Sequence, residues 1–220
     1  VGDKMQKTGI DISQFNRVVD LKKAKQDGFE FCIIRCTGFK NQKKYTMPYK
    51  DNMFEKHYQM AKDAGMKVGA YAYVAPIPGV SAADHAAFVL DVLKGKSFEY
   101  PIYIDVEAWN FMDKIGKTIY THEFLKEIEK HNAYVGIYGS DISTFKDMLS
   151  MDLTDNGKRI LDHYTWWVAR YGNEPSYAVK NKHIWQFTSK GSVSGISGDV
   201  DLDICYQDFS VIERKGMNRF

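Results

Sequence analysis

Two hydrophobic periods take turns along this chain, a period of two and a period near 3.6, and they predict strands alternating with helices. KTGIDIS (7–13) puts Ile10 and Ile12 on one face of an extended segment and Gly9, Asp11 and Ser13 on the other, since side chains two apart share a face. Phe15 to Asp27, with Val18, Val19, Leu21 and Ala24 at helical spacing, predicts a helix that stops at Gly28. FEFCIIRC (29–36) is almost continuously apolar, as in a strand covered on both faces, with Arg35 the exception. Thr37 to Lys50 reads as a polar loop whose Lys40, Lys43 and Lys44 form a solvated rim. NMFEKHYQMAKDA (52–64) is helical, and MKVGAYAYV (66–74) splits Val68, Ala70, Ala72 and Val74 from Gly69, Tyr71 and Tyr73. Ser81 and Asp84 have the spacing of a capping box ahead of a third helix. A fourth strand, YPIYIDVE (100–107), leads to a helix over Lys117 to His131. YVGIYG (134–139) is a fifth strand, and Ser143 to Ser150 a short fifth helix.

The rhythm then changes. TWWVARY (165–171), HIWQFT (183–188) and DVDLDICY (199–206) read as strands without helices between them. Eight strands and five helices predict an α/β fold with a parallel sheet, right-handed crossovers and helices packed outside. Eight such strands can close a barrel, and three missing helices account for a chain shorter than the ~250 residues of a full (β/α)₈ barrel. The expectation is one domain over 1–220, with the barrel at about 7–206 and a short C-terminal tail.

If the aliphatic face of each strand meets the helices, the other faces converge inside the barrel. They would collect Asp11, Arg35, Tyr71, Tyr73, Asp105, Glu107, Tyr138, Trp167, Tyr171, Gln186 and Asp201 near the strand ends where barrel enzymes place their chemistry. Asp105 and Glu107 end one strand on one face with backbones roughly 6.6 Å apart, within the range of about 5 to 9.5 Å that separates glycosidase carboxylate pairs. Crowding there should push the two pKa values apart and leave one group as an acid. Asp-x-Glu alone also suits two solvated charges, or a Mg²⁺ or Ca²⁺ site. Acids set among tyrosines and tryptophans suit a sugar polymer, because flat rings stack on pyranose faces while carboxylates and phenols bond hydroxyls. Gln186, between Trp185 and Phe187, needs partners if buried.

Composition narrows the choice. A net charge of +2 with 26% charged residues provides no basic field for nucleic acid, and no apolar run approaches the ~20 residues of a membrane span. No signal peptide opens the chain, and Val1 in place of Met is consistent with a removed upstream segment. Cys32 and Cys36 would lie about 13 Å apart on one strand, beyond bridging distance, so the three cysteines read as buried thiols. The six histidines have no partnered spacing. GSVSGISG (191–198) lacks the glycine pattern of a phosphate cradle and reads as a plain loop. No metal or cofactor is expected, and the chain is expected to act as a monomer.

Eight ordered segments carry a resemblance that covers essentially the whole chain: GIDIS, FCIIRCTG, AKDAGMKVGAYAY, YPIYIDVE, VGIYGS, WWVARY, IWQFTS and GSVSGISGDVDLDICY. Together they resemble the glycoside hydrolase family 25 lysozymes, the Chalaropsis-type muramidases common among phage endolysins and bacterial autolysins. The resemblance implies a TIM-like (β/α)₅(β)₃ barrel that cleaves bacterial peptidoglycan between N-acetylmuramic acid and N-acetylglucosamine, on the cell wall, after secretion or phage release. It implies Glu107 as general acid and base, Asp105 assisting the 2-acetamido group, and Asp11 and Asp201 as further catalytic acids. Arg35, Tyr71, Tyr73, Tyr138, Trp167 and Gln186 match its sugar-binding wall. Two departures stand out: Cys36, Thr37 and Gly38 replace a segment where many members carry Glu, and Asp203 stands where Asn is frequent. A family 18 chitinase-like hydrolase would place another acid at Tyr103. A silent sugar-binding module would not require the Asp105–Glu107 pair, and a metal-dependent hydrolase would call for a His-rich ligand set.

Overall fold

The computed structural model describes residues 6–17, 19–42, 45–107, 109 and 112–220. In chain order the elements are β1 (Lys7–Ile12), α1 (Leu21–Gln26), β2 (Phe31–Gln42), β3 (Tyr45–Lys50), α2 (Phe54–Asp63), β4 (Lys67–Tyr73), α3 (Ala82–Leu93), β5 (Ile102–Asp105), α4 (Lys114–Glu129) and β6 (Val135–Ser140). A π-helix (Asp141–Met148), the small hairpin β7 (Thr154–Asp155) and β8 (Lys158–Arg159), and a 3₁₀ turn (Ile160–His163) follow. The chain continues through β9 (Thr165–Ala169), β10 (Lys182–Gly191), β11 (Val200–Cys205) and α5 (Val211–Arg214).

Eight of these strands form a closed barrel. Their order is β1-β11-β10-β9-β6-β5-β4-β2, and pairing of β1 with β2 joins the ends. Seven run parallel, while β11 runs antiparallel to both β10 and β1, which corrects the all-parallel expectation. The reason is length: residues 192–199 separate β10 from β11, too few for the crossover that a parallel strand needs, so the chain turns back as a hairpin.

The period-two pattern sorts side chains as expected. Ile10, Ile12, Ile34, Val68, Ala70, Ile102, Ile104, Ile137, Trp166 and Val168 belong to the layer beneath the helices. Phe31, Ile33, Tyr103, Tyr138, Trp167 and Ile184 fill the barrel itself. The capping box at Ser81 and Asp84 is present, with the Ser81 hydroxyl accepting the Asp84 N–H at 3.1 Å. All three cysteines are buried and unbridged.

Four segments differ from expectation. Residues 37–50 are a hairpin rather than a loop, because Tyr45, Met47 and Tyr49 alternate with Thr46, Pro48 and Lys50 and extend β2 through β3 pairing. Lys40 is exposed as expected, whereas Lys43 and Lys44 lie outside the described residues, as does Val18. The first helix is only Leu21–Gln26, since Asp20 caps it by accepting the Lys22 and Lys23 N–H groups. The fourth helix starts three residues early because Asp113 caps Gly116 at 2.7 Å, and the fifth is π-helical. At the barrel floor Asn218 accepts the Tyr134 N–H and donates to the Tyr100 carbonyl, docking the C-terminal segment. Among the described residues no helix is long and apolar enough to cross a membrane.

Candidate active site

Acids from three strands meet at one mouth of the barrel. Asp11 ends β1 and Asp105 ends β5, with Glu107 two residues further on. Asp201 sits at the start of β11, and because that strand is antiparallel its pairing with Asp11 brings it to the same rim. Asp11, Asp105 and Asp201, with Arg35, Tyr71, Tyr73, Tyr138, Trp167 and Tyr171, line an open compartment of about 310 Å³ that also includes Ser13, Phe15 and Glu107. A second compartment of about 520 Å³ is lined by Ser140, Asp141, Ile142, Ser143, Ala169 and Arg170. Glu107, Tyr138 and Tyr171 line both, so Glu107 stands where two halves of one groove join.

Asp105 is buried, whereas Glu107 is exposed at the rim. Among the described residues Asp105 Oδ1 is buried without a hydrogen-bond partner, and Glu107 is the charge that acts on it most. Burial, then the Glu107 charge, hold Asp105 well above the usual carboxylate range, and Arg35 only partly offsets them. Burial also raises Glu107, while Asp105 pulls it back. Of the two, Asp105 is the one that folding holds further toward its neutral form. Around them burial and the nearby carboxylates raise Tyr71 and Tyr138, and push Tyr73 up to about 12, so the phenols remain neutral donors.

Gln186 is absent from the lining and lies one layer below it. Its side-chain carbonyl accepts the Tyr138 hydroxyl at 2.7 Å and the Tyr171 hydroxyl at 3.0 Å, and its amide donates to Asp11 Oδ2 at 2.8 Å. One buried amide thus ties two wall tyrosines to an acid, which meets the partner requirement read from its apolar neighbours. Arg35 is fixed by buried Asp51, its Nε donating to Oδ2 at 2.7 Å, and its guanidinium lies 5.1 Å from the Phe15 ring centre. Asp51 also accepts the Gln14 and Met53 N–H groups, tying the β1 loop to α2.

Every residue the sequence assigned to the site is at this mouth or directly beneath it. Several were not assigned. Ser13 shares a face with Asp11, and Asp203 one with Asp201, so period two could have found both. Phe15, 73% exposed on the rim, was masked by its apparent place in a helix. Asp141, which accepts N–H groups from Ser176, Tyr177 and Ala178 and a bond from Arg170, shows no local signal. No histidine lines either compartment. Among the described residues no group of three or more His, Cys, Asp or Glu side chains forms a metal-ligand set.

The family model for glycosyl hydrolases family 25 matches residues 10–196. An autolytic lysozyme of Clostridium acetobutylicum is 28% identical over 195 residues, covering 89% of this chain and 54% of that protein, so the chain spans about half the length of this relative. The crystal structure of the CTP1L endolysin superposes with a TM-score of 0.75 at 26% identity, over 96% of this chain and 70% of its own. A family 25 glycosyl hydrolase from Bacillus anthracis has a TM-score of 0.76 at 20% identity, over 99% and 96% of the two chains, and shows the shared fold.

Proposed function

The chain belongs to glycosyl hydrolases family 25, and on that premise we propose that it is a lysozyme of the N-acetylmuramidase type. Its substrate is bacterial peptidoglycan, and the bond it hydrolyses is the β-1,4 link from N-acetylmuramic acid to N-acetylglucosamine. It works on the wall from outside the cell or after phage release. The observation that carries this reading is the Asp105–Glu107 pair, a buried carboxyl beside an exposed one, both raised by burial, at the junction of two groove compartments. A glycan strand laid along the groove would have sugars on both sides of that junction.

In this reading the acetamide N–H of the sugar on one side donates to Asp105, so the proton Asp105 held moves across to Glu107. Glu107 then protonates the departing glycosidic oxygen as the C1–O bond breaks, while the sugar's own acetamido carbonyl oxygen bonds C1. Glu107, now a carboxylate, takes a proton from water, whose oxygen attacks C1 and opens the ring formed by the acetamide. Each proton lent is returned. Tyr73 offers a phenolic donor to hydroxyls, the Tyr138 and Tyr171 oxygens, whose own protons go to Gln186, accept from them, and Trp167 and Tyr71 offer ring faces.

The test is release of reducing ends from purified cell walls. Glu107→Gln keeps the size of the side chain but removes the transferable proton, and turnover is expected to fall by about 10²-fold or more. Undiminished turnover in a variant that keeps the wild-type circular dichroism spectrum would refute the assignment.

A further inference from the structure

Beneath the groove, Asp203 lies on β11 with 0% of its surface exposed, on the same strand face as Asp201 and opposite Gly9 of β1. Its Oδ1 accepts the Trp167 indole N–H at 2.7 Å. Its Oδ2 is buried and has no donor among the described residues. Asp11, two residues from Gly9 on the same β1 face, is the acid that acts on it, and its own Oδ2 takes the amide of Gln186, the β10 residue opposite Asp203, at 2.8 Å. Two carboxylates cannot bond one another, and a buried carboxyl oxygen without a donor is costly. A proton between the two acids resolves both problems.

We propose that Asp203 is a positioning residue, and that the proton it shares with Asp11 across the β1–β11 ladder holds Asp11, Gln186 and Tyr138 in the arrangement that binds sugar. Ionising the pair places a charge without a cation partner in a closed space and releases the wall. Burial drives the retention first, and it pushes Asp203 up to about 8 even though the bond from Asp11 lowers it. Burial and the charges of Asp203 and Asp201 raise Asp11 as well. The other groups facing the pair do not neutralise it. They are Asp201 and Cys205 on β11, Cys32 on β2 and Tyr103 on β5. Tyr71 on β4, Tyr138 on β6 and Tyr171 beyond β9 face Asp11. Arg35, the cation lining the same compartment, bonds Asp51 instead. The pair therefore stays uncharged through neutral pH, and its first ionisation, at Asp203, comes at about 8.

Asp203→Asn supplies an amide donor to Asp11 that does not titrate. The first readout is the Trp167 indole N–H resonance, assigned with Trp167→Phe and followed from pH 6 to 10. It is expected to shift above neutrality in the wild type and to stay flat in Asp203→Asn. The second is the affinity of a tetrasaccharide of alternating N-acetylglucosamine and N-acetylmuramic acid, measured by calorimetry in Glu107→Gln so that acid catalysis does not enter. This arm rests on the muramidase reading. Affinity should fall about tenfold between pH 7 and 9, and Asp203→Asn added to the same background should remove that fall. A resonance that never moves, or that moves equally in Asp203→Asn, overturns the proposal, as does an affinity loss that survives the substitution. If the wild type releases no reducing ends, the muramidase reading fails, and the indole titration still decides whether the proton is shared.

Discussion

At the scale of single residues, the site is held in place by carboxylates whose partners lie far away in sequence. Asp141 is the clearest case. Its Oδ1 accepts the Tyr177 and Ala178 N–H groups at 3.0 and 2.7 Å, and its Oδ2 accepts the Ser176 N–H and Arg170 Nη1 at 2.9 and 2.8 Å. Burial alone would raise it, but these four bonds outweigh burial and hold Asp141 below the usual carboxylate range. Asp141→Ala should therefore destabilise the fold by roughly 3 kcal/mol, as expected when one partner of a buried charged network is removed, read as a shift in urea midpoint. An acid lowered by folding contributes stability above its ordinary range and loses it as pH falls, so the gap between wild type and variant should narrow below about pH 4. The four acids of the mouth were legible because strand periodicity ties residue number to face. Asp141 and Asp51 were not, since a residue that receives its bonds from backbone more than thirty positions away leaves no mark on its own neighbours.

At the scale of elements, the barrel strands were readable and their surroundings less so. Strand faces follow from alternation, and the aliphatic and inward sets emerged as two separate layers. The direction of β11 was missed because alternation is blind to direction, while the short connection before it could have revealed the reversal. The β2–β3 hairpin was hidden by its lysines, which made a strand resemble a loop. Close packing also limits what the inward face accepts. A Cβ added at Gly136 of β6 would come within 2.6 Å of Thr165 and of the Tyr103 ring in the barrel interior. Gly136→Ala is expected to cost about 1–3 kcal/mol by overpacking, measured by chemical denaturation, because a backbone carbonyl is among the atoms it meets. A neutral substitution would mean that the inner layer is looser than described.

At the scale of the whole molecule, the mouth concentrates acids that folding makes harder to ionise. Asp11, Asp105, Glu107, Asp201 and Asp203 are all raised, with burial the leading cause for each. A raised acid binds more protons in the folded state than in the unfolded one between its two pKa values, so its contribution to stability declines as pH rises through that window. For Asp203 the window runs from the ordinary carboxylate range to about 8. The melting temperature should accordingly be higher near pH 5 than near pH 8, at on the order of 1 kcal/mol per pH unit for each such proton. Asp203→Asn should flatten part of that slope in calorimetry, and an unchanged slope would contradict the buried-acid account. This is the electrostatic cost of assembling a reactive groove inside a barrel.

The account depends most on Glu107 acting as the proton donor at a glycosidic oxygen. The most direct test is mass spectrometry of the fragments released from purified peptidoglycan by the wild type and by Glu107→Gln. The expected result is fragments whose new reducing end is N-acetylmuramic acid with the wild type, and intact glycan with the variant. Reducing ends on N-acetylglucosamine, or an equal fragment yield from Glu107→Gln, would contradict it.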